Sequence, residues 1–195
     1  MNSEDGATAV RVAREALYAE ASDEGYRPSG LSEAFSEPSG AFVTVSEYPS
    51  HELRACIGYP VPVMPLGETI VRAAQGAVYD PRFPRLTPDE VDECLVEVTV
   101  LTPPVDIDYK DLDDLKSQIT IGRDGLIIEC NGRRGLFLPQ VPVEQGWNME
   151  QYLTGICMKA GLRGSEWRTG RASFQKFQGE IFEETRPKGE VVRRD

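Results

Sequence analysis

The stretch HELRACIGYP, residues 51–60, sets Arg54 and Cys56 two positions apart and follows them with Gly58 and Pro60. A thiol does chemistry as its thiolate, and a guanidinium close by favours that charged form. Side chains on a strand alternate faces. Regular alternation puts Glu52, Arg54 and Cys56 on one side and His51, Leu53, Ala55 and Ile57 on the other. His51 is the only histidine in the chain, and this geometry turns it away from Cys56. The stretch therefore offers a cysteine activated by an arginine, not a Cys–His dyad. Arg54 has a second use, because its fork of donors can anchor a carboxylate or phosphate through two bonds. Gly58 permits close backbone approach and Pro60 ends strand pairing, which leaves Cys56 near a strand terminus. The alternative is a buried core thiol, with Arg54 tied to an acidic neighbour.

Two further stretches carry charge between rigid anchors. DPRFPR (80–85) packs Asp80, Arg82 and Arg85 around two prolines and Phe83. A stiff charged loop can hold a ligand; equally, its arginines can pair with acids while Phe83 fills the core. LPQVPVEQGW (138–147) places Gln140 and Glu144 ahead of a helix start, whose positive end suits an anion unless the protein caps it. The candidate site is thus Cys56 as nucleophile, Arg54 as anion binder and Glu144 as acid/base, with Gly58, Asp80, Arg82, Arg85 and Gln140 as binding residues. RGSEWRTGRASFQKF (163–177) interleaves arginines with aromatics, a pattern that can bind single strands of nucleic acid.

Charge argues against that last use. The chain carries 32 acidic against 21 basic residues, a net charge of −11, whereas phosphate binding needs a basic face. The same surplus disfavours anionic membranes. Of the basic residues 16 are Arg and 5 are Lys. Acidic surplus with little lysine suits a high-salt interior. No apolar run reaches membrane length, and the polar start MNSEDGATAV has no secretory pattern, so a cytoplasmic location is expected. Cys56, Cys94, Cys130 and Cys157 form no C-x-x-C pair, and one histidine cannot complete a zinc set. No metal and no cofactor is expected. Cys94 opens an apolar strand, Cys130 abuts a turn and Cys157 lies on a helical core stripe, so all three read as structural.

Periodicity supplies the elements that must position these groups. Residues 7–21 read as a helix with Ala9, Ala13, Ala16 and Leu17 on one stripe, and 66–79 as another with Ile70, Ala73, Ala74 and Ala77 buried. Strands are expected over 41–47 and 53–57, joined as a hairpin through YPSH, and over 94–102, where Val96, Val98 and Val100 share a face. VPVMP (61–65) is too rich in proline for a central strand. TPDE (87–90) spells a capping box with proline at the first helical position, and 111–118 reads as a short helix. Asn131-Gly132 predicts a type I′ hairpin across 124–140. Residues 148–161 form the best-specified helix, with Asn148 as cap, Gln151 at N3, Trp147 stapled to Tyr152, and Gly161 just past the end. One last strand is expected over about 174–184. The mixture lacks a regular βαβ beat, so the class is α+β with mainly antiparallel sheet.

LRACIG (53–58) resembles the LRGCIG signature of the AMMECR family, named for the Alport syndrome, midface hypoplasia and elliptocytosis chromosomal region. FVTV, DPRFPRLTPDE, VEVTVLTPP, GRDGLIIECNGRRGLFLPQV, EQGWNMEQYLTGICMKAGL and FQGEIFEE follow the family's order, so the resemblance covers about residues 7–184. Ala55 stands where the family's commonest form has glycine. The resemblance implies a prokaryotic, archaeal type of member. It implies two α/β lobes, not independently folding, over 1–186, with the signature lining a cleft between them and 187–195 as a peripheral tail. It implies no assigned reaction. It suggests Memo-type and radical-SAM proteins as partners. Two functions stay open at this stage. One is an enzyme or carrier using a Cys56 thiolate on a small anionic ligand. The other is a non-catalytic module that docks a peptide or partner protein.

Overall fold

The computed structural model describes residues 1–194. The chain divides into two compact units. Unit 1 is Met1–Leu101 with the C-terminal stretch from Glu180, and unit 2 is Thr102–Gly179.

Unit 1 is built on β1 (Ala41–Ser46), β2 (Leu53–Tyr59), β3 (Leu95–Leu101), β8 (Gly179–Glu184) and β9 (Val191–Arg194), in the order β2-β1-β3-β8-β9. β1 pairs antiparallel with both β2 and β3. Helices α1 (Ser3–Ala21) and α2 (Leu66–Val78) cover one face. The expected stripes do the covering: Ala9, Ala13, Ala16 and Leu17 from α1, with Ile70, Ala73, Ala74 and Ala77 from α2, are all buried. They meet Ala41, Val43, Val45, Ala55, Val96, Val98 and Val100 in a single core. So many alanines let helix and sheet backbones approach closely. Each buried valine contributes roughly 1.5–3 kcal/mol of apolar transfer.

The alternation that sends the valines inward sends Phe42, Thr44, Cys56, Glu97 and Thr99 to the opposite face, where each is half-buried. Helix α3 (Pro88–Glu93) begins with the expected capping box: Thr87 Oγ1 accepts from the Glu90 N–H, and the Glu90 side chain accepts from the Thr87 N–H. Arg14 ties α1 to this region. It donates to Glu184 and to the carbonyl oxygens of Val91 and Cys94.

Unit 2 carries β4 (Val105–Asp106), β5 (Gly125–Cys130), β6 (Arg133–Phe137) and β7 (Ser173–Phe177) in the order β4-β7-β5-β6, with helices α4 (Leu112–Ser117), α5 (Gln140–Glu144) and α6 (Met149–Lys159). Asn131 (φ 52°) and Gly132 (φ 71°) make the predicted turn between β5 and β6. Asn148 and Gln151 cap α6 reciprocally, and Gly161 holds φ 71° past its end. Phe137 packs against both residues expected as a staple, its ring centre 5.6 Å from that of Trp147 and 6.2 Å from that of Tyr152.

Three expectations need correcting. The last strand is two strands, β7 and β8, in different sheets. The break is Gln178, whose backbone N–H and C=O bond to Thr102 instead of to a neighbouring strand. LPQVPVEQGW (138–147), read as polar groups between anchors with no element of its own, contains the short helix α5, with Pro142 in a first turn that needs no donor from it. The tail expected over 187–195 supplies β9, paired antiparallel with β8; its final residue, Asp195, lies outside the described residues. Among the described residues no helix is long and apolar enough to cross a membrane.

Candidate functional site

β2 is an edge strand, so one side of its backbone has no strand partner. At Cys56 that side is taken by the 80–86 loop. Asp80 Oδ2 accepts the Cys56 N–H at 2.9 Å, and Arg82 Nη2 donates to the Cys56 carbonyl oxygen at 3.1 Å. The two clamping side chains are joined to each other: Arg82 Nε reaches Asp80 Oδ1 at 3.0 Å and Nη2 reaches Oδ2 at 2.7 Å. Asp80 Oδ1 also accepts the Arg82 N–H at 3.1 Å. Asp80 is buried, yet its carboxyl is held well below the usual carboxylate range. The Arg82 side-chain bonds are the main cause, with the Cys56 and Arg82 N–H donors adding to them against the cost of burial. Arg82 is pushed up in turn, first by Asp80 and, more weakly, by Cys56. Its side chain is 53% exposed, so the cation beside Cys56 is within reach of solvent. Phe83 serves as a platform, with Arg82 5.5 Å and Arg54 6.0 Å from its ring centre.

Arg54 does not stand beside Cys56. Val45 faces Ala55 but Ser46 faces Leu53, so Arg54 is the extra residue of a β-bulge. The bulge cancels the alternation on which a shared Arg54–Cys56 face depends. Arg54 and Ala55 are both buried, and Arg54 turns to α3, where Nε and Nη2 donate to Glu90 Oε1 at 3.1 and 2.9 Å. Its Nη1 is buried without a hydrogen-bond partner among the described residues. His51 is on neither face of β2. It sits in the β1–β2 turn, exposed, with φ 59°.

A second polar feature runs across the sheet at the level of Cys56. The register puts Thr44 opposite Cys56 on one side and opposite Glu97 on the other. Because the Cys56 N–H and C=O go to the loop, the Thr44–Cys56 pair is of the kind that exchanges no backbone bonds. Facing side chains come closest in such pairs. Thr44 Oγ1 donates to Cys56 Sγ at 3.5 Å. Glu97 is raised above the ordinary carboxylate range, chiefly by burial. Arg194 counters this, Glu183 adds to it, and the Thr44 and Thr99 hydroxyls favour the charged form. Arg194 of β9 bridges Glu183 at 2.8 Å and Glu97 at 3.6 Å. Thr44 and Glu97 escaped the sequence reading, although AFVTVS and VEVTVL both show polar residues at alternate positions. Their common face was legible; their common row depended on the register.

The other candidate residues divide by role. Arg85 is a structural cap: Nη2 donates to the last carbonyl oxygens of α1, those of Glu20 and Ala21, at 3.3 Å, and pairs with Asp23 at 2.7 Å. Gly58 is required by packing. A Cβ there would stand 2.2 Å from the ring of Phe42, its cross-strand partner. Gln140 and Glu144 lie exposed at the two ends of α5, in unit 2, whereas Cys56, Asp80 and Arg82 belong to unit 1. Trp167, Phe174 and Phe177 are buried core residues. Cys94, Cys130 and Cys157 are buried while Cys56 is half-buried. Burial pushes the Cys94 and Cys157 thiols up.

An α+β chain with LRACIG on the edge strand of one unit and a capped hairpin–helix pair in the other defines a recognisable class. The AMMECR1 family model matches residues 10–182, and the chain belongs to that family. It is 45% identical to a protein of Thermofilum pendens over 100% of this chain and 96% of the relative. It is also 45% identical to protein MJ0810 of Methanocaldococcus jannaschii, over 97% and 94% of the two chains. The crystal structure of the uncharacterised protein PH0010 from Pyrococcus horikoshii superposes with a TM-score of 0.81 at 40% identity, covering 100% of this chain and 98% of that one.

Proposed function

We propose that unit 1 carries a working thiol, with Cys56 as nucleophile or carrier for a small electrophile that bears an anionic group. Arg82 takes the role first considered for Arg54: it is the cation beside Cys56 and meets the anion. The observation that supports this reading is the clamp on Cys56. A carboxylate and a guanidinium from one proline-stiffened loop hold both the N–H and the C=O of this residue. A core cysteine needs no such fixation. Holding the backbone from both sides fixes where the thiol stands, which is the positional requirement on a reacting group.

Timed iodoacetamide labelling of the native protein at pH 7, read by peptide mass spectrometry, tests the reading. Cys56 should label before Cys94, Cys130 and Cys157. Arg82→Leu should slow it and Arg82→Lys should largely restore it, because the restored quantity is charge. Should Cys56 label no faster than the three buried thiols, the thiol is a packing residue. The surface would then be read as a docking face for a partner.

A further inference from the structure

We propose that Cys56, Thr44 and Glu97 form a proton-sharing row across three adjacent strands, in which Glu97 takes and returns the thiol proton of Cys56 through the Thr44 hydroxyl. The inference rests on the thiol reading above and adds to it the group that accounts for the proton.

The geometry carries it. Thr44 is the register partner of both residues, so its side chain projects between theirs on one sheet face. Its hydroxyl already bonds to Cys56 Sγ. A threonine is suited to this place because its single hydroxyl accepts from one neighbour while donating to the other. In one arrangement the Cys56 S–H donates to Thr44 Oγ1 and the Thr44 O–H donates to a Glu97 carboxylate. Moving each proton one step along leaves a Cys56 thiolate that accepts from Thr44, which in turn accepts from a Glu97 carboxylic acid. One proton leaves sulfur, one arrives on the carboxylate, and no charge is created. The only histidine in the chain lies in the β1–β2 turn, so no imidazole stands in this row.

The surroundings suit a shared proton. Glu97 is faced by Thr44 from β1, by its own strand's Thr99, by Glu183 from β8 and by Arg194 from β9. Cys56 is faced by Thr44 and by the Asp80–Arg82 pair. Burial and Glu183 make Glu97 readier than an ordinary glutamate to hold a proton, while Arg194 keeps it able to give the proton up. Arg82 places a cation at the Cys56 end of the row and Arg194 one at the Glu97 end. Two coupled groups that share one proton titrate as a pair and not singly.

The test is the pH profile of Cys56 alkylation. A thiol that titrates alone loses rate tenfold for each pH unit below its pKa. A thiol sharing a proton with a carboxylate keeps a fixed fraction of thiolate between the two macroscopic steps. The wild-type rate should therefore show a shoulder in which it changes less than tenfold per unit. Glu97→Gln and Thr44→Val should each restore the simple tenfold slope, and Thr44→Ser should retain the shoulder. A shoulder that survives Thr44→Val overturns the relay, because Glu97 then acts through its charge alone. A shoulder that survives Glu97→Gln assigns the second group elsewhere and also overturns it. In either case fast labelling of Cys56 would leave the thiol reading standing, whereas slow labelling in every variant would remove the reading itself. A measurement that leaves the sheet unaltered covers the case of misfolded variants. The carboxyl carbon of Glu97, followed by NMR in wild type and in Cys56→Ser, should show two inflections in the first and one in the second. A single inflection in both sinks the proposal.

Discussion

Arg54 donates two hydrogen bonds to Glu90, at 3.1 and 2.9 Å, and keeps its Nη1 buried with no partner among the described residues. This pair locks the bulge of β2 to the first turn of α3. Glu90 serves two purposes, since its other oxygen closes the capping box on Thr87. Removing Glu90 would strand a buried guanidinium, whereas removing Arg54 leaves a carboxylate that is 40% exposed and still bonded to Thr87.

Glu90→Ala should therefore destabilise the fold by about 2 kcal/mol or more, and Arg54→Met by less, because an unpaired buried charge costs more than a lost exposed partner. Denaturant unfolding of both variants decides the order. The opposite order would mean that Arg54 acts mainly through its packing. Neither change should alter the shape of the Cys56 alkylation profile.

Asp80 makes stability depend on pH in a defined direction. Its folded pKa is depressed, chiefly by the Arg82 side chain. A depressed carboxylate contributes stability that is complete above the unfolded value of about 3.9 and is lost as pH falls toward the folded one. Asp80→Asn should therefore lower the melting temperature at pH 7, at a cost of about 2 kcal/mol. The gap from wild type should shrink as pH drops below 4. A gap independent of pH would show that Asp80 contributes through hydrogen bonding alone.

The capped helix α6 offers a check confined to unit 2. Asn148→Ala removes a side chain that accepts from the Gln151 N–H at 3.0 Å and should cost about 1 kcal/mol. Gly161→Ala should cost a comparable amount, because a Cβ is penalised at φ 71°. Unchanged unfolding midpoints in both would mean that the helix ends are held by packing and not by their caps.

The acidic surplus predicts a response to salt. Like charges repel across a chain of net charge −11, and at 1 M ionic strength the Debye length falls to about 3 Å. The melting temperature should rise between dilute buffer and molar KCl. A flat or falling trend would assign the acidic residues to local ion pairs such as Arg194 with Glu183.

Much of this architecture follows from local rules. The stripes of α1 and α2, the Thr87 and Asn148 capping boxes and the Asn131-Gly132 turn each involve residues within a few positions of one another. Backbone sterics and short-range hydrogen bonds settle them wherever the segment lies. The same holds for the valine alternation of β1 and β3, which already assigns Thr44 and Glu97 to the non-core face.

Three things lay beyond such rules. A bulge is a property of two paired strands, so the turn of Arg54 away from Cys56 could not be read from LRACIG alone. The break at Gln178 depends on Thr102, 76 residues away, which offers its N–H and hydroxyl in place of a ladder partner. The surroundings of Cys56 come from three distant segments: Asp80 and Arg82 from a loop, Thr44 from β1 and Glu97 beyond it on β3. The sequence by itself determined which residues are apolar, capped or turning, and hence the elements and the family. Tertiary structure alone decided which charge stands beside the thiol, because strand register and edge pairing are set by contacts between segments that no local periodicity encodes.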